Sequence, residues 1–293
     1  MMEASFQKAV IDQLGQHTRA LVNIEQVRLT SGGSINHTYS LFTNQGHFFL
    51  KFNQVDLYPR MFKLEKEGLE LLQKHSDFKI PKVILESAHK EYAYLLIEGI
   101  NTSPKANNFW TLFGQRLAAM HKKSTDNYGL DQDNYIGSLP QKNVWKDNWT
   151  DFFVQNRLHV QEKLAFDNQL IDSQISTQLA KLYGKMEHLF PISKPSLLHG
   201  DLWSCNFLCG VDGQATIFDP AVYYGNREMD IAMTHLFGGF QKEFYNAYQR
   251  EFPLDKGWED RIEICNLYPL LVHVNLFGTS YANRVKAILK RYA

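Results

Sequence analysis

The run His199-Gly200-Asp201-Leu202-Trp203-Ser204-Cys205-Asn206, followed by Ile217-Phe218-Asp219-Pro220, holds the residue types that phosphoryl transfer requires. One carboxylate has to stand beside the attacking hydroxyl, while an amide oxygen and a second carboxylate hold Mg²⁺ on the nucleotide phosphates. Asp201 fits the first role, and Asn206 and Asp219 fit the second. Taken singly, Asp and Asn often do no more than cap turns. The Asn five residues after the Asp, the hairpin signal Val211-Asp212-Gly213 and the Asp beyond it make a chemical set of them. His199 braces the loop, because Asp201 already supplies the base.

A nucleotide needs a cradle, and the upstream sequence offers one. Thr30-Ser31-Gly32-Gly33-Ser34-Ile35-Asn36 is a small-residue loop, with Gly32, Gly33 and Ser34 placed to let phosphates approach the backbone. Leu41-Phe42-Thr43 leads into the turn Asn44-Gln45-Gly46, and His47-Phe48-Phe49-Leu50-Lys51-Phe52 follows as a β-rich run. Lys51 would meet the α- and β-phosphates. It needs an acidic partner, and the helical pattern of Met61 to Leu72 supplies two candidates, Glu65 as the first choice and Glu67 as the fallback. Phe62, Leu64, Leu69 and Leu72 would line that helix's buried face.

The rest of the chain divides around a break in pattern. Residues 3–15 read as a short helix, Ile24 to Phe52 as strands and turns, and Lys82 to Leu85 and Tyr92 to Ile97 as two more strands. Ile97, Glu98 and Gly99 then form an expected hinge whose backbone would read an adenine edge. Beyond it lie helical patterns over Asn108 to His121, Trp145 to Phe166, Ile171 to Phe190, 228–250 and 258–291, with an irregular stretch from Asp126 to Leu139. The expectation is an α+β, bilobal protein-kinase-like fold. A small β-rich N-lobe (1–98) would bind nucleotide, and a larger, mostly helical C-lobe (99–293) would carry catalysis and the acceptor.

Composition narrows the class. The 293 residues are 44% hydrophobic, enough for a sizeable core. Lys plus Arg and Asp plus Glu are 31 each, so no basic excess points to nucleic acid or an anionic membrane. Three Cys in no framework spacing argue against a disulfide scaffold or a zinc site and fit a reducing cytoplasm. The first residues show no basic segment followed by a long apolar run, and no apolar run reaches membrane-spanning length. Oligomeric state is not legible.

The chain resembles the fructosamine kinases (ketosamine kinases), a branch of the aminoglycoside-phosphotransferase and choline-kinase superfamily. The resemblance is carried by Gly32-Gly33-Ser34-Ile35-Asn36, Phe49-Leu50-Lys51-Phe52-Asn53, Met61-Phe62 with Glu65, and His199 to Ser204. It continues through Phe218-Asp219-Pro220-Ala221-Val222-Tyr223-Tyr224-Gly225, Arg227 to Met233, Leu236-Phe237-Gly238-Gly239-Phe240 and Leu271 to Gly278. Two departures stand out. Ser34 occupies a position where many relatives carry Cys, and Cys205 one where Gly is common. The resemblance implies ATP and Mg²⁺ as cofactors and a ketosamine or glycated amine as acceptor, phosphorylated on a sugar hydroxyl. Trp203 would offer the acceptor an aromatic face or pack into the core. Arg227 and Asp230 would brace the loop or shape the acceptor pocket, and His273 and Asn275 would line the acceptor side. A kinase for choline, an aminoglycoside or homoserine shares the generic site. A nucleotide-binding pseudokinase scaffold does not explain why Lys51, Asp201, Asn206 and Asp219 are all present.

Overall fold

The computed structural model describes residues 2–30 and 35–292. In chain order the elements are α1 (Ala4–Thr18), β1 (Ile24–Leu29), β2 (His37–Thr43), β3 (Gly46–Gln54), α2 (Met61–His75), β4 (Val83–His89), β5 (Tyr92–Glu98) and α3 (Phe109–His121). Next come β6 (Asn134–Ile136), β7 (Leu139–Gln141), α4 (Trp149–Phe152), a π-helical turn (Phe153–Leu158), α5 (His159–Asp167), α6 (Ser173–Tyr183) and α7 (Met186–Leu189). Then follow β8 (Ser196–Leu198), β9 (Phe207–Cys209), β10 (Ala215–Ile217), β11 (Tyr223–Gly225), α8 (Glu228–Leu236), α9 (Lys242–Glu251), α10 (Trp258–Phe277), a 3₁₀ turn (Thr279–Tyr281) and α11 (Ala282–Tyr292). The chain contacts gather into two units. One comprises Met1–Lys74, Phe78–Asn107 and Phe207–Asp219, the other His75–Asp77, Asn108–Asn206 and Pro220–Ala293.

The first unit is built on a five-stranded sheet in the order β1-β2-β3-β5-β4, antiparallel throughout. Side chains alternate across a strand. On β3 this sends Phe48, Leu50 and Phe52 to one face, where they pack with Phe6, Val10 and Leu14 of α1. Lys51 and Asn53 therefore point to the other face, and register places Lys51 between Thr38 of β2 and Leu95 of β5. The helix α2 buries Met61, Phe62, Gly68, Leu69 and Leu72; Leu64, expected on that face, is only half-buried. The β9–β10 hairpin belongs to this unit. Its turn closes through Gly213, at φ +73°, and Ser103 N–H, Ala106 N–H and Ile217 N–H tie it to the segments on either side.

The second unit is mostly helical around one apolar core that takes in Phe152, Leu179, Leu198, Met233, Leu271 and Val285. Two of the expected helical stretches are interrupted. The 228–250 pattern breaks into α8 and α9 at Gly238 and Gly239, both at positive φ, and the 258–291 pattern breaks at Gly278, φ +94°. Left-handed backbone ends a helix, and glycine adopts it without a Cβ penalty. The helix expected from Trp145 starts at Trp149, because Asn148 caps it by accepting from the Asp151 N–H at 2.8 Å. The stretch expected to be irregular, Asp126 to Leu139, ends in the short β6–β7 hairpin, whose second strand runs on to Gln141. Close packing of α3 on α9 depends on Gly114, where a Cβ would stand 2.2 Å from the carbonyl oxygen of Phe244.

Candidate active site

In the first unit three charged side chains converge. Lys51 Nζ donates to Glu65 Oε1 at 2.6 Å and to Asp219 Oδ1. Lys51 is 6% exposed, so its ammonium is removed from water and burial works to lower its pKa. The Asp219 and Glu65 carboxylates outweigh that loss and raise the pKa above its ordinary value, keeping the group charged. A buried pair of this kind differs in kind from the exposed Lys66–Glu70 contact on the same helix, which is worth at most about 1 kcal/mol. The partner is Glu65. Glu67, two residues on, is turned by roughly 200° about the helix axis. Asp219 takes φ +56°, a left-handed conformation that Asp and Asn tolerate better than most residues.

The expected nucleotide loop residues Gly32, Gly33 and Ser34 lie outside the described residues. At the expected hinge, Ile97 is buried. Two backbone donors are already used there: Glu98 N–H by Lys82 O at 2.8 Å and Gly99 N–H by His47 O at 2.9 Å. A base reading an edge here would therefore meet carbonyl oxygens, or N–H groups from Ile100 onward. Gly99 is sterically required, since a Cβ would sit 2.4 Å from the His47 ring.

In the second unit the Asp201 loop is held from behind by Asp230, 1% exposed, whose Oδ2 accepts from His199 N–H at 2.8 Å and Oδ1 from Gly200 N–H at 2.9 Å. Burial would raise the Asp230 pKa, but the His121 hydrogen bond, the His121 and His199 rings and the Gly200 N–H bring it below the ordinary carboxylate value. His121 donates from Nε2 to Asp230 (3.1 Å) and accepts at Nδ1 from Tyr248 (2.8 Å), and burial lowers its pKa so that it stays neutral. Gly200 turns the loop at φ +83°; a Cβ there would lie 2.0 Å from Ala221 O. The side-chain amide of Asn206 donates to Asp201 O (2.8 Å) and Asp201 Oδ2 (2.9 Å). That orientation reserves Asn206 Oδ1, the atom able to ligate a cation. His199 is fully buried and accepts from the Asp201 N–H at 3.3 Å, a brace for the loop.

Asp201 borders a cavity whose walls include Ile136, Met229, Met233, Val272 and His273. His273 donates from Nδ1 to Pro269 O at 2.7 Å, which leaves Nε2 as a lone-pair acceptor, and burial lowers its pKa. Trp203 is half-buried, with its ring 5.4 Å from that of Phe237 and packed against the helical core. Gly239 makes room for the loop, as a Cβ would come 2.8 Å from Ser204 Cβ. Two expected acceptor residues are engaged elsewhere. Arg227 donates to the carbonyls of Phe252 (2.6 Å) and Pro253 (2.5 Å) and lies over the Phe252 ring, so it fastens the end of α9. Asn275 donates to Gln161 O (2.9 Å) and Oε1 (2.8 Å), linking α10 to α5. Three residues that build this site escaped sequence reasoning: His121, Gln141 and Arg157. Each is polar inside an otherwise ordinary pattern, and its partners lie far off in sequence.

Small β-sheet unit, helical unit and the two charged sets define a phosphotransferase of the protein-kinase-like type. In agreement, the structure matches the aminoglycoside phosphotransferase APH(4)-Ia, solved with AMP-PNP and hygromycin B, with TM-score 0.67 over 98% of each chain. At 15% identity this is a likeness of fold alone. The fructosamine kinase family model matches residues 6–293, and the chain belongs to that family. With it, the protein is an ATP-dependent phosphotransferase. A probable ketoamine kinase of Synechocystis is 35% identical over 288 residues, covering 97% of this chain and 96% of the relative. The chloroplastic protein-ribulosamine 3-kinase of Arabidopsis thaliana is 37% identical over 279 residues, 92% of this chain and 83% of the relative. The crystal structure of a Haemophilus somnus protein assigned as a fructosamine-3-kinase matches with TM-score 0.89 at 29% identity, over 98% of this chain and 97% of the other. Among the described residues no helix is long and apolar enough to cross a membrane.

Proposed function

We propose that this protein transfers the γ-phosphoryl group of ATP to a sugar hydroxyl of a ketosamine. The hydroxyl oxygen forms a bond to the γ-phosphorus, the bond from that phosphorus to the β,γ-bridging oxygen breaks, and ADP leaves. Asp201 orients the hydroxyl and accepts its proton late in the transfer. Lys51, held charged by Glu65, binds the α- and β-phosphates, and Gly32, Gly33 and Ser34 are assigned to the same phosphates from their residue types. Ile97, Glu98 and Gly99 lie at the adenine.

Mg²⁺ suits a site with few protein oxygens, completed by phosphates and water. Among the described residues no group of three His, Cys, Asp or Glu side chains is placed to hold a metal ion by itself. Asn206 Oδ1 and the Asp219 carboxylate, whose side chain is 40% exposed, are the protein oxygens assigned to it. When bound, the metal neutralises charge on the β- and γ-phosphate oxygens.

The observation that carries the acceptor half is the Asp201 carboxylate at the edge of the cavity that His273 borders. His273 Nε2 can accept from a sugar hydroxyl, and Trp203 contributes aromatic surface at the same loop. Incubation with Mg²⁺, ATP and fructosyl-lysine tests this reading by phosphorus-31 NMR. The expected result is one phosphate monoester on a sugar carbon for each ADP formed. ADP formed without an ester, or phosphate attached to the amine, would contradict it.

A further inference from the structure

Arg157 heads the largest fully buried side chains among the described residues, at 0% exposure. Among the described residues no carboxylate lies within ion-pairing distance of it. Its guanidinium meets neutral acceptors: Nη1 donates to the carbonyl of Lys142 and, at 3.2 Å, to that of Asn156, and Nη2 donates to Asn143 Oδ1 at 2.8 Å. Nε has no partner. Aromatic rings enclose the remainder, with the guanidinium carbon 4.0 Å from the centroid of Tyr223, 4.6 Å from Phe152 and 5.4 Å from Tyr268.

A charge removed from water without a counter-charge is costly, and its hydrogen bonds to neutral acceptors offset only part of that cost. A buried charge is thus weak evidence of a purely stabilising role. Its backbone setting is equally uncommon. The residue lies in the π-helical turn Phe153–Leu158, and such turns are rare and recur at functional sites.

What the guanidinium touches leads to the Asp201 loop. Tyr268 borders the same cavity as Asp201 and His273. Its hydroxyl donates to Gln141 Oε1 at 2.7 Å, and Gln141 Nε2 donates to Asn134 Oδ1 at 2.8 Å and to Ala221 O at 3.1 Å. Asn134 Nδ2 donates in turn to Val222 O at 2.8 Å, and Ala221 N–H donates to His199 O at 2.9 Å. Arg157 thus grips both tyrosines and, through Asn143, whose Nδ2 donates to Asn134 Oδ1 at 3.0 Å, the amide network between them.

We propose that Arg157 is a positioning residue for the acceptor, its planar guanidinium locking Tyr268 and the Gln141–Asn134 network so that the cavity wall beside Asp201 keeps its shape. This rests on reading that cavity as the acceptor site. Flat stacking and forked donation are properties of a guanidinium that an ammonium lacks, so lysine cannot replace it.

The test compares Arg157→Met, Arg157→Lys, Tyr268→Phe and the Arg157→Met/Tyr268→Phe double variant in the full-length protein. Both Arg157 variants should raise the KM for fructosyl-lysine about tenfold or more while the KM for ATP stays within about twofold. Arg157→Met leaves the Lys142 carbonyl and Asn143 Oδ1 without this donor, so its melting temperature is measured beside the KM values. Tyr268→Phe keeps the ring and loses one hydroxyl, and it should raise the same KM. The double variant should be no worse than the poorer single one, as expected for residues acting through one network. Equal rises in both KM values, restoration by Arg157→Lys, or additive losses would overturn the proposal. Should Arg157→Met not fold, an unchanged acceptor KM in Arg157→Lys and Tyr268→Phe overturns it as well. Wild-type protein without ketosamine-dependent turnover would remove the acceptor site and the proposal together. Wild-type turnover with unaffected variants removes the role of Arg157 alone.

Discussion

Asp201→Asn lowers turnover about a hundredfold or more, within the range that loss of a general base produces, and leaves ATP binding in place. The substitution keeps size and shape, so the cavity wall and the backbone bonds to Asp230 survive. It removes the proton acceptor and also reverses a hydrogen bond. Asn206 donates its amide to Asp201 Oδ2, so an amide at position 201 turns its own oxygen toward Asn206. Its NH₂ then faces the acceptor hydroxyl, which can accept from it but finds no acceptor there for its own proton. Steady-state rates with fructosyl-lysine and calorimetric titration with ATP separate the two effects. Turnover above about a tenth of wild type would exclude Asp201 as the base.

Asp219→Asn gives the second large loss. The Mg²⁺ assigned to this carboxylate then faces a neutral amide, and Kd for Mg²⁺–ATP should rise about tenfold or more, one lost charge-assisted contact being worth roughly 1.5–3 kcal/mol. Asn is the appropriate substitution because the backbone at 219 is left-handed, which Asn accommodates and Ala does not without strain. Lys51 loses its stronger counter-charge but keeps Glu65 at 2.6 Å, so the buried ammonium is not abandoned and Tm should fall by no more than ~4 °C. Calorimetry at varied Mg²⁺ and a thermal melt measure both quantities. Unchanged Mg²⁺ dependence would remove Asp219 from the metal site.

The parts of this site that could be read from sequence are those with local signatures. The strand alternation that sends Phe48, Leu50 and Phe52 to the core fixes Lys51 on the opposite face, whereas the choice between Glu65 and Glu67 stays open in the sequence and is made by the Lys51–Glu65 bond. The Asp201–Asn206 spacing implies a single loop, and the structure joins the two by hydrogen bonds. Helix ends were less legible. Gly238, Gly239 and Gly278 sit within helix-like patterns, and only their positive φ reveals the breaks. Long-range polar partners were not legible at all. His121 reads as the last turn of an amphipathic helix, yet its partner Asp230 is 109 residues away. Arg157 falls inside the Trp145 to Phe166 helical pattern with no local signature, and its aromatic enclosure depends on Tyr223 and Tyr268 from two other elements. Arg227 and Asn275 show the converse: polar residues within family-like runs whose bonds go to Phe252, Pro253 and Gln161.

Acceptor competition addresses the central assignment most directly. Fructosyl-lysine, choline, kanamycin and homoserine are offered together at equal concentration with Mg²⁺ and ATP, and each phosphorylated product is quantified by mass spectrometry. Product ratios in such a mixture report relative kcat/KM, the quantity that defines specificity. The ketosamine product should exceed every other by about tenfold or more, since a site shaped for a substrate's hydroxyls rejects poor matches strongly. A mixture dominated by phosphocholine, phosphohomoserine or phosphorylated kanamycin would contradict the ketosamine assignment.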